Sequence, residues 1–354
     1  MSIASDCEHV RVVRSGGTGR LVLDRPASLN ALTLPMIRTM SAALDAWEAD
    51  DDLHVVLIDS ASSRAFCAGG DIRAVYESAR TGDGCTHVFW TEQYRLDRKI
   101  ARYEKPVVAI MSGIVMGGGV GLSAHARHRI VDETTKLAMP EVGIGLIPDV
   151  GGTWLLSRTP GSLGTYLALT GATVGAADAI AMDLAEHFVA HARMSALVTA
   201  LMTESPSTDT EIRATIRRFA SSASDAIVGQ QRVLIDSAFG KSTVEEIVAA
   251  LNADDSPFAR AASALLETRS PTSLKLTLRA LAEARTLDSL EACLRLEFRV
   301  MSHRLEDFDV REGVRAAVID KDRKPAWQPA HLAEVSLASL DPYFASLGSA
   351  ELVL

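Results

Sequence analysis

Residues 116–121 read Met-Gly-Gly-Gly-Val-Gly, and two carboxylates follow: Glu141 after Met139-Pro140, and Asp149 after Pro148. A glycine run that opens a helix presents backbone N–H groups with no side chain to block a ligand, and such groups favour anions. A second loop, Ala65-Phe-Cys-Ala-Gly-Gly-Asp71, follows another apolar run. In a parallel sheet both loops leave at the same edge, where ligands generally bind. One N–H from each, aimed at a shared point, would stabilise a carbonyl oxygen as it becomes an oxyanion. Carboxylates on the loops downstream would supply a base or a nucleophile. The set suits acyl chemistry; a glycine triplet by itself more often only makes turns or allows close helix packing.

The elements around these loops can be read from periodicity. Val10–Val13, a Ser15-Gly-Gly17 turn and Arg20–Leu23 read as a strand, a tight turn and a strand. Thr33 can cap a helix over 34–48, with Pro35 in its first turn and Ile37, Met40, Leu44 and Trp47 at helical spacing. His54–Ile58 and Pro106–Met111 are short continuous apolar runs, hence buried strands, and a helix over about 84–103 lies between them. Asp71 can cap the helix that follows it, and Arg129–Val131 and Lys136–Ala138 read as short strands. Beyond about residue 152 strand signals fade, apart from His187–Ala190. Helical periods take over at 192–204, 209–221, 224–238, 243–252, 256–268, 272–284 and 288–303. Ser242-Thr-Val-Glu245 reads as a capping box and Ser270-Pro-Thr-Ser273 as a helix start. The expected fold class is α/β: a core over 1–191, then a helical region over 192–354 that covers the active-site edge.

Composition limits the alternatives. The chain has 354 residues, with 36 Lys and Arg against 45 Asp and Glu, a net charge of −9. That balance argues against nucleic acid or an anionic membrane as the main partner. The four cysteines (Cys7, Cys67, Cys85, Cys293) form no CxxC pair, which favours a reduced, cytoplasmic protein over a disulfide framework or zinc ribbon. Residues 1–9 carry acids and no apolar run, unlike a targeting peptide. His125 and His128 lie three apart with nothing in their segment to complete a metal site, so packing or surface roles are preferred.

The loop 65–71 together with the glycine helix resembles the crotonase (enoyl-CoA hydratase/isomerase) superfamily. Within it, 116–122, 138–152, Ser270-Pro-Thr-Ser-Leu-Lys275 and Glu312-Gly-Val-Arg-Ala-Ala-Val-Ile-Asp-Lys-Asp322 are similar to segments of 3-hydroxyisobutyryl-CoA hydrolases. The resemblance runs from about residue 10 to the end of the chain. It implies a crotonase-like ββα spiral core and hydrolysis of a short β-hydroxyacyl-CoA thioester in valine breakdown. It implies no metal or redox cofactor, coenzyme A being part of the substrate. The partner is then a small acyl-CoA, and a homo-oligomer is compatible with it.

Carried over by motif, the backbone N–H groups of Ala68 and Gly118 would form the oxyanion hole. Glu141 would be the catalytic carboxylate, and Asp149 would hydrogen-bond the substrate's β-hydroxyl. Gln93, Gly117, Gly121 and Asp71 would line the acyl site, and Arg25 and Lys321 would approach the CoA phosphates. Two positions depart informatively from relatives. Hydratases of the superfamily carry a second glutamate where this chain has Gly121, and a glycine transfers no proton. The hydrolases usually carry a glutamate where this chain has Gln93, which can hydrogen-bond a hydroxyl but cannot act as acid or base. Cys67 beside the loop is better read as a small buried thiol than as a nucleophile. Two other functions fit the same motifs: an enoyl-CoA hydratase or isomerase, and an acyl-CoA-binding protein without turnover.

Overall fold

The computed structural model describes residues 7–224 and 226–354; most of the segment read for a targeting peptide, residues 1–6, lies outside them. The strands are β1 (Val10–Ser15), β2 (Thr18–Leu23), β3 (Val55–Ser60), β4 (Ala65–Cys67), β5 (Val107–Ile110), β6 (Ile114–Met116), β7 (His128–Val131), β8 (Lys136–Ala138) and β9 (His187–Phe188). The first helices are α1 (Leu34–Glu48), α2 (Ile72–Thr81), α3 (Cys85–Arg102), α4 (Gly118–Ala124), α5 (Gly152–Leu156), α6 (Leu163–Thr170) and α7 (Ala176–Ala181). Then come α8 (His191–Glu204), α9 (Asp209–Phe219), α10 (Ile227–Gln230), α11 (Arg232–Phe239), α12 (Val244–Asn252) and α13 (Pro257–Glu267). The last are α14 (Pro271–Ala284), α15 (Leu290–Arg304), α16 (Phe308–Val314) and α17 (Asp341–Phe344).

The chain falls into two compact units that interleave along the sequence. One comprises the residues up to Gly70, Arg95–Leu137 and Val174–Ala226; the other comprises Asp71–Tyr94, Ala138–Thr173 and Ile227–Leu354. The shift in composition near 191/192 suggests a single cut, but compactness follows packing. The segment 138–173 associates with the late helices rather than with the strands that precede it.

In the first unit, β1 and β2 form the expected hairpin around Gly16 and Gly17, with Ser15 opposite Thr18. The main sheet runs β1-β2-β3-β5-β7-β9, parallel from β2 onward. Its central strands β3 and β5 are almost wholly buried, as parallel strands covered on both faces must be, whereas the edge strand β1 is largely exposed. On one face Val55, Leu57, Val108, Ile110 and Ile130 pack against Met194, Leu197 and Leu201 of α8 and Ile212 and Ile216 of α9. A second sheet, β4-β6-β8, joins Lys136–Ala138, read as a strand, to two stretches not read as strands, and Ala65 pairs in parallel with Ile114. Sequence missed β4 and β6, each only three residues long and running straight into a glycine-rich loop. The parallel pairing sends the loop after β4 and the glycine run after β6 out at one edge.

Helix starts follow the residue chemistry, with two corrections. α1 begins after Thr33 with Pro35 in its first turn, yet the Thr33 side chain makes no capping bond. The capping box is Thr243 with Glu246, one residue beyond the Ser242–Glu245 expected from spacing. Asp71 caps α2 by accepting from Ala74 N, and Ser270 caps α14 by accepting from Ser273 N. The helical run expected over 224–238 breaks into α10 and α11. No described helix is long and apolar enough to cross a membrane.

Candidate active site

In the second unit Glu141 opens a 3-10 turn, Glu141–Ile144, closed by Gly145 at φ 80°. A Cβ at Gly145 would lie 2.6 Å from the Asp309 carbonyl carbon, so only glycine lets this turn approach α16 so closely. The buried Arg304 of α15 forks onto the Gly145 carbonyl, Nε at 2.8 Å and Nη2 at 2.6 Å. Ser270 N donates to the Val142 carbonyl from the start of α14. The turn that aims Glu141 is thus held by three late helices. Glu141 is 7% exposed, and its Oε2 has no hydrogen-bond partner among the described residues.

Asp149, equally buried, accepts a hydrogen bond from Tyr94 Oη at 2.7 Å. Tyr94 sits edge-on to Phe298, ring centroids 5.9 Å apart. After Asp149 the backbone turns left-handed at Val150 and Gly151 (φ 55° and 78°) and enters α5. That helix start has an unusual cap. Glu297, fully buried on α15, accepts from Gly151 N and Thr153 N, both at 2.8 Å, and from Thr153 Oγ1.

Three buried carboxyls therefore act on one another electrostatically. Burial raises Glu141 well above the ordinary carboxylate range, and the charges of Asp149 and Glu297 raise it further. Burial pushes Asp149 up to about 7, against the lowering effect of the Tyr94 hydroxyl. Glu297 is pushed up to about 8 by burial, opposed by its three donors. A raised carboxyl with a bare oxygen in a dry setting, Glu141, beside a second one near neutrality, Asp149, suits proton transfer or nucleophilic attack at neutral pH.

The glycine loops belong to the first unit. An ideal Cβ on Gly69 would lie 3.7 Å from Gly118 N, so the two loops run side by side. Gly119 tolerates no side chain: a Cβ there would meet the Cys67 carbonyl at 2.3 Å. Gly117 is the N-cap of α4, and Gly118 and Gly121 lie buried within that helix. Ala68 is a correction. Its N–H donates to the Leu29 carbonyl at 3.0 Å, which leaves nothing for an oxyanion. Gly70 N–H, two residues on, makes no hydrogen bond among the described residues, and neither does Gly118 N–H.

The remaining expected residues scatter. Gln93 is buried beside Tyr94 in α3. The carboxylate of Asp71 serves as the α2 cap. Arg25 donates from Nη1 to the Ala31 carbonyl at 3.0 Å, a loop-stabilising use. Lys321 is exposed at positive φ and makes no ion pair among the described residues. Cys67 is fully buried and its thiol is pushed up to about 12, which suits packing and not nucleophilic attack.

Sequence reading passed over Glu297 and Arg304, although a signal was there. Leu290, Cys293, Leu294, Glu297, Phe298, Met301 and Arg304 recur at helical spacing, which places a carboxylate and a guanidinium on the apolar face of α15. Charges on such a face are almost never buried unless they are paired or hydrogen-bonded.

The chain belongs to the enoyl-CoA hydratase/isomerase family, whose family model matches residues 18–344. Its architecture is the crotonase fold. A carnitinyl-CoA dehydratase from Mycobacterium thermoresistibile superposes with a TM-score of 0.93 at 45% identity, covering 98% of this chain and 99% of that one. An enoyl-CoA hydratase from Rhodobacter sphaeroides gives 0.91 at 39%, covering 98% and 100%. Within the family the chain is 41% identical to the mitochondrial 3-hydroxyisobutyryl-CoA hydrolase of Mus musculus, over 99% of this chain and 92% of that protein. It is 42% identical to the Xenopus laevis protein of the same name, over 97% and 90%.

Proposed function

We propose that this protein hydrolyses the thioester of 3-hydroxyisobutyryl-CoA, or a similar short β-hydroxyacyl-CoA, as a step of valine breakdown. The observation that carries the reading is the buried, unpartnered Oε2 of Glu141 beside an Asp149 poised near neutrality by burial and Tyr94. Glu141 attacks the thioester carbonyl, or takes a proton from the water that does so. A C–O bond forms, the C–S bond breaks, and coenzyme A leaves as a thiolate that takes up a proton; where Glu141 is the nucleophile, water then opens the mixed anhydride, releasing the free acid and restoring the carboxylate. Asp149, held by Tyr94, orients the β-hydroxyl. The N–H groups of Gly118 and Gly70 stabilise the oxyanion. Gln93 contributes a hydrogen bond and no proton transfer. Lys321, unpaired and exposed, suits a CoA phosphate better than Arg25 does. The chemistry needs no metal or redox cofactor. Four free cysteines support a reduced, cytoplasmic setting, although the named hydrolase relatives are mitochondrial.

A hydratase reading draws on the names of the two solved relatives. Gly121 opposes it, because a hydratase of this type needs a second carboxylate there. Incubation with 3-hydroxyisobutyryl-CoA and with crotonyl-CoA separates the readings. Free thiol from the first substrate, with the enoyl absorbance of the second unchanged, is expected. Loss of the enoyl absorbance without thiol release would replace hydrolysis with hydration, and binding without either would leave a non-catalytic acyl-CoA protein.

A further inference from the structure

A separate cluster lies in the first unit, at the edge of the main sheet. β9 is the last strand, and His187 on it pairs in register with Ile130 of β7. His128 opens β7 on the same face as Ile130, since side chains two apart in a strand share a face. One ring nitrogen each of His128 and His187 and a carboxylate oxygen of Glu186 lie within 4.8 Å of one another. His128 is fully buried, and three atoms of the cluster have no hydrogen-bond partner among the described residues: His128 Nδ1, Glu186 Oε2 and His187 Nε2.

The protonation pattern makes this convergence informative. His128 Nε2 lies 2.9 Å from Asp209 Oδ1. Asp209 also forms ion pairs with Arg127 and Arg213, both at 2.8 Å, so it is an ionised carboxylate that can only accept. The proton of a neutral His128 is therefore on Nε2, and Nδ1 presents a lone pair. The lone pair on His128 Nδ1, the Glu186 Oε2 oxygen and His187 Nε2 are thus all left without a partner among the described residues.

We propose that His128 Nδ1, Glu186 Oε2 and His187 Nε2 form a binding site for a divalent cation of the zinc class. Two imidazoles and one carboxylate are a zinc donor set, whereas calcium and magnesium take oxygen ligands. Asp209 holds the His128 tautomer from outside the shell, as carboxylates behind metal-bound histidines do. Tetrahedral zinc places its ligand atoms about 3.4 Å apart, so small side-chain rotations complete the site. An adjoining cavity of about 390 Å³, lined by Glu186, His187, Phe188, Ser221 and Ser222 among others, admits the ion and holds a water as fourth ligand.

Surrounding charge sets the affinity. Arg127 and Arg213 pair with Asp209, Arg129 lies 3.6 Å from Glu186 Oε1, and Arg217 acts on His187 from nearby. Those four cations oppose a fifth, so micromolar binding is expected rather than the tighter binding of an all-protein structural zinc site. The ion would pin β7, β9 and, through Asp209, the start of α9, which makes it a structural clasp.

The test uses the full chain, stripped with chelator and titrated with Zn²⁺ by calorimetry, alongside E186Q and H187Q. One Zn²⁺ per chain at micromolar concentration, at least tenfold weaker in both variants, is the expected result. Zn²⁺ should also raise the Tm of the parent protein and not that of the variants, and Co²⁺ should give the intense visible bands of a tetrahedral centre. Binding only at millimolar concentration, equal binding by both variants, or equal binding of Mg²⁺ would each overturn the proposal.

Discussion

At the scale of single residues, the site depends on how Asp149 and Glu141 share charge in a dry environment. Asp149 in the folded chain titrates near 7, against about 4 when unfolded. Between those values the folded state keeps a proton that the unfolded state has lost, so this contribution to stability declines as pH rises from about 4 to about 7. Activity should run the other way. The ionised carboxylate is the working form, so kcat/KM should climb through neutrality as the coupled pair loses its proton. Tyr94→Phe removes the hydrogen bond that lowers Asp149 and should move the profile to higher pH; an unmoved midpoint would detach Asp149 from the titration. Asp149→Asn should harm hydroxylated acyl-CoAs more than analogues lacking the β-hydroxyl, because a site built to bond that hydroxyl is left mismatched. Equal losses on both would make Asp149 a turn residue only.

At the scale of elements, the late helices do the positioning. Glu297 of α15 caps α5 just after Asp149, and Arg304 of the same helix clamps the turn behind Glu141. Glu297→Gln puts an amide N–H₂ where backbone donors need an acceptor, and should cost about 2 kcal/mol of stability. Because Glu297 is itself pushed up to about 8, it carries charge toward Glu141 only above that pH, so the substitution should leave the rise through neutrality in place, unlike Tyr94→Phe, and change the profile only on its alkaline side. Denaturant melts and pH–rate profiles of the two variants check both statements. Sequence periodicity located α12 to α15, and the Ser270 start fell where spacing put it, but it gave no helix at α16 or α17. It missed what depends on partners far along the chain. The cap on α5 comes from 146 residues away at Gly151, and the Ala68 N–H is taken by the carbonyl of Leu29. β4 and β6 also escape, each only three residues long and running straight into a glycine-rich loop.

At the scale of the whole molecule, the carboxylates and the helices from residue 227 onward share one compact unit, while the glycine loops and the main sheet share the other. Glu141, Asp149 and the glycine run were legible in sequence because their motifs are contiguous. His128, Glu186 and His187 were not, because nothing local to His128 announces a strand pairing 59 residues away. A fragment ending near residue 240 loses Glu297, Arg304, Ser270 and Asp309, all of which hold the 141–151 segment. It should aggregate or lose acyl-CoA binding; a soluble, fully active 1–240 fragment would show that these helices do not position the site.

The most direct measurement is turnover of Glu141→Gln with 3-hydroxyisobutyryl-CoA, paired with calorimetric binding of the same ester. The substitution keeps shape and removes charge, so kcat should fall roughly 1,000-fold while affinity stays nearly unchanged. Retention of more than about a tenth of parent turnover, an effect of about 1.4 kcal/mol at most, would contradict the assignment of Glu141 as the catalytic carboxylate.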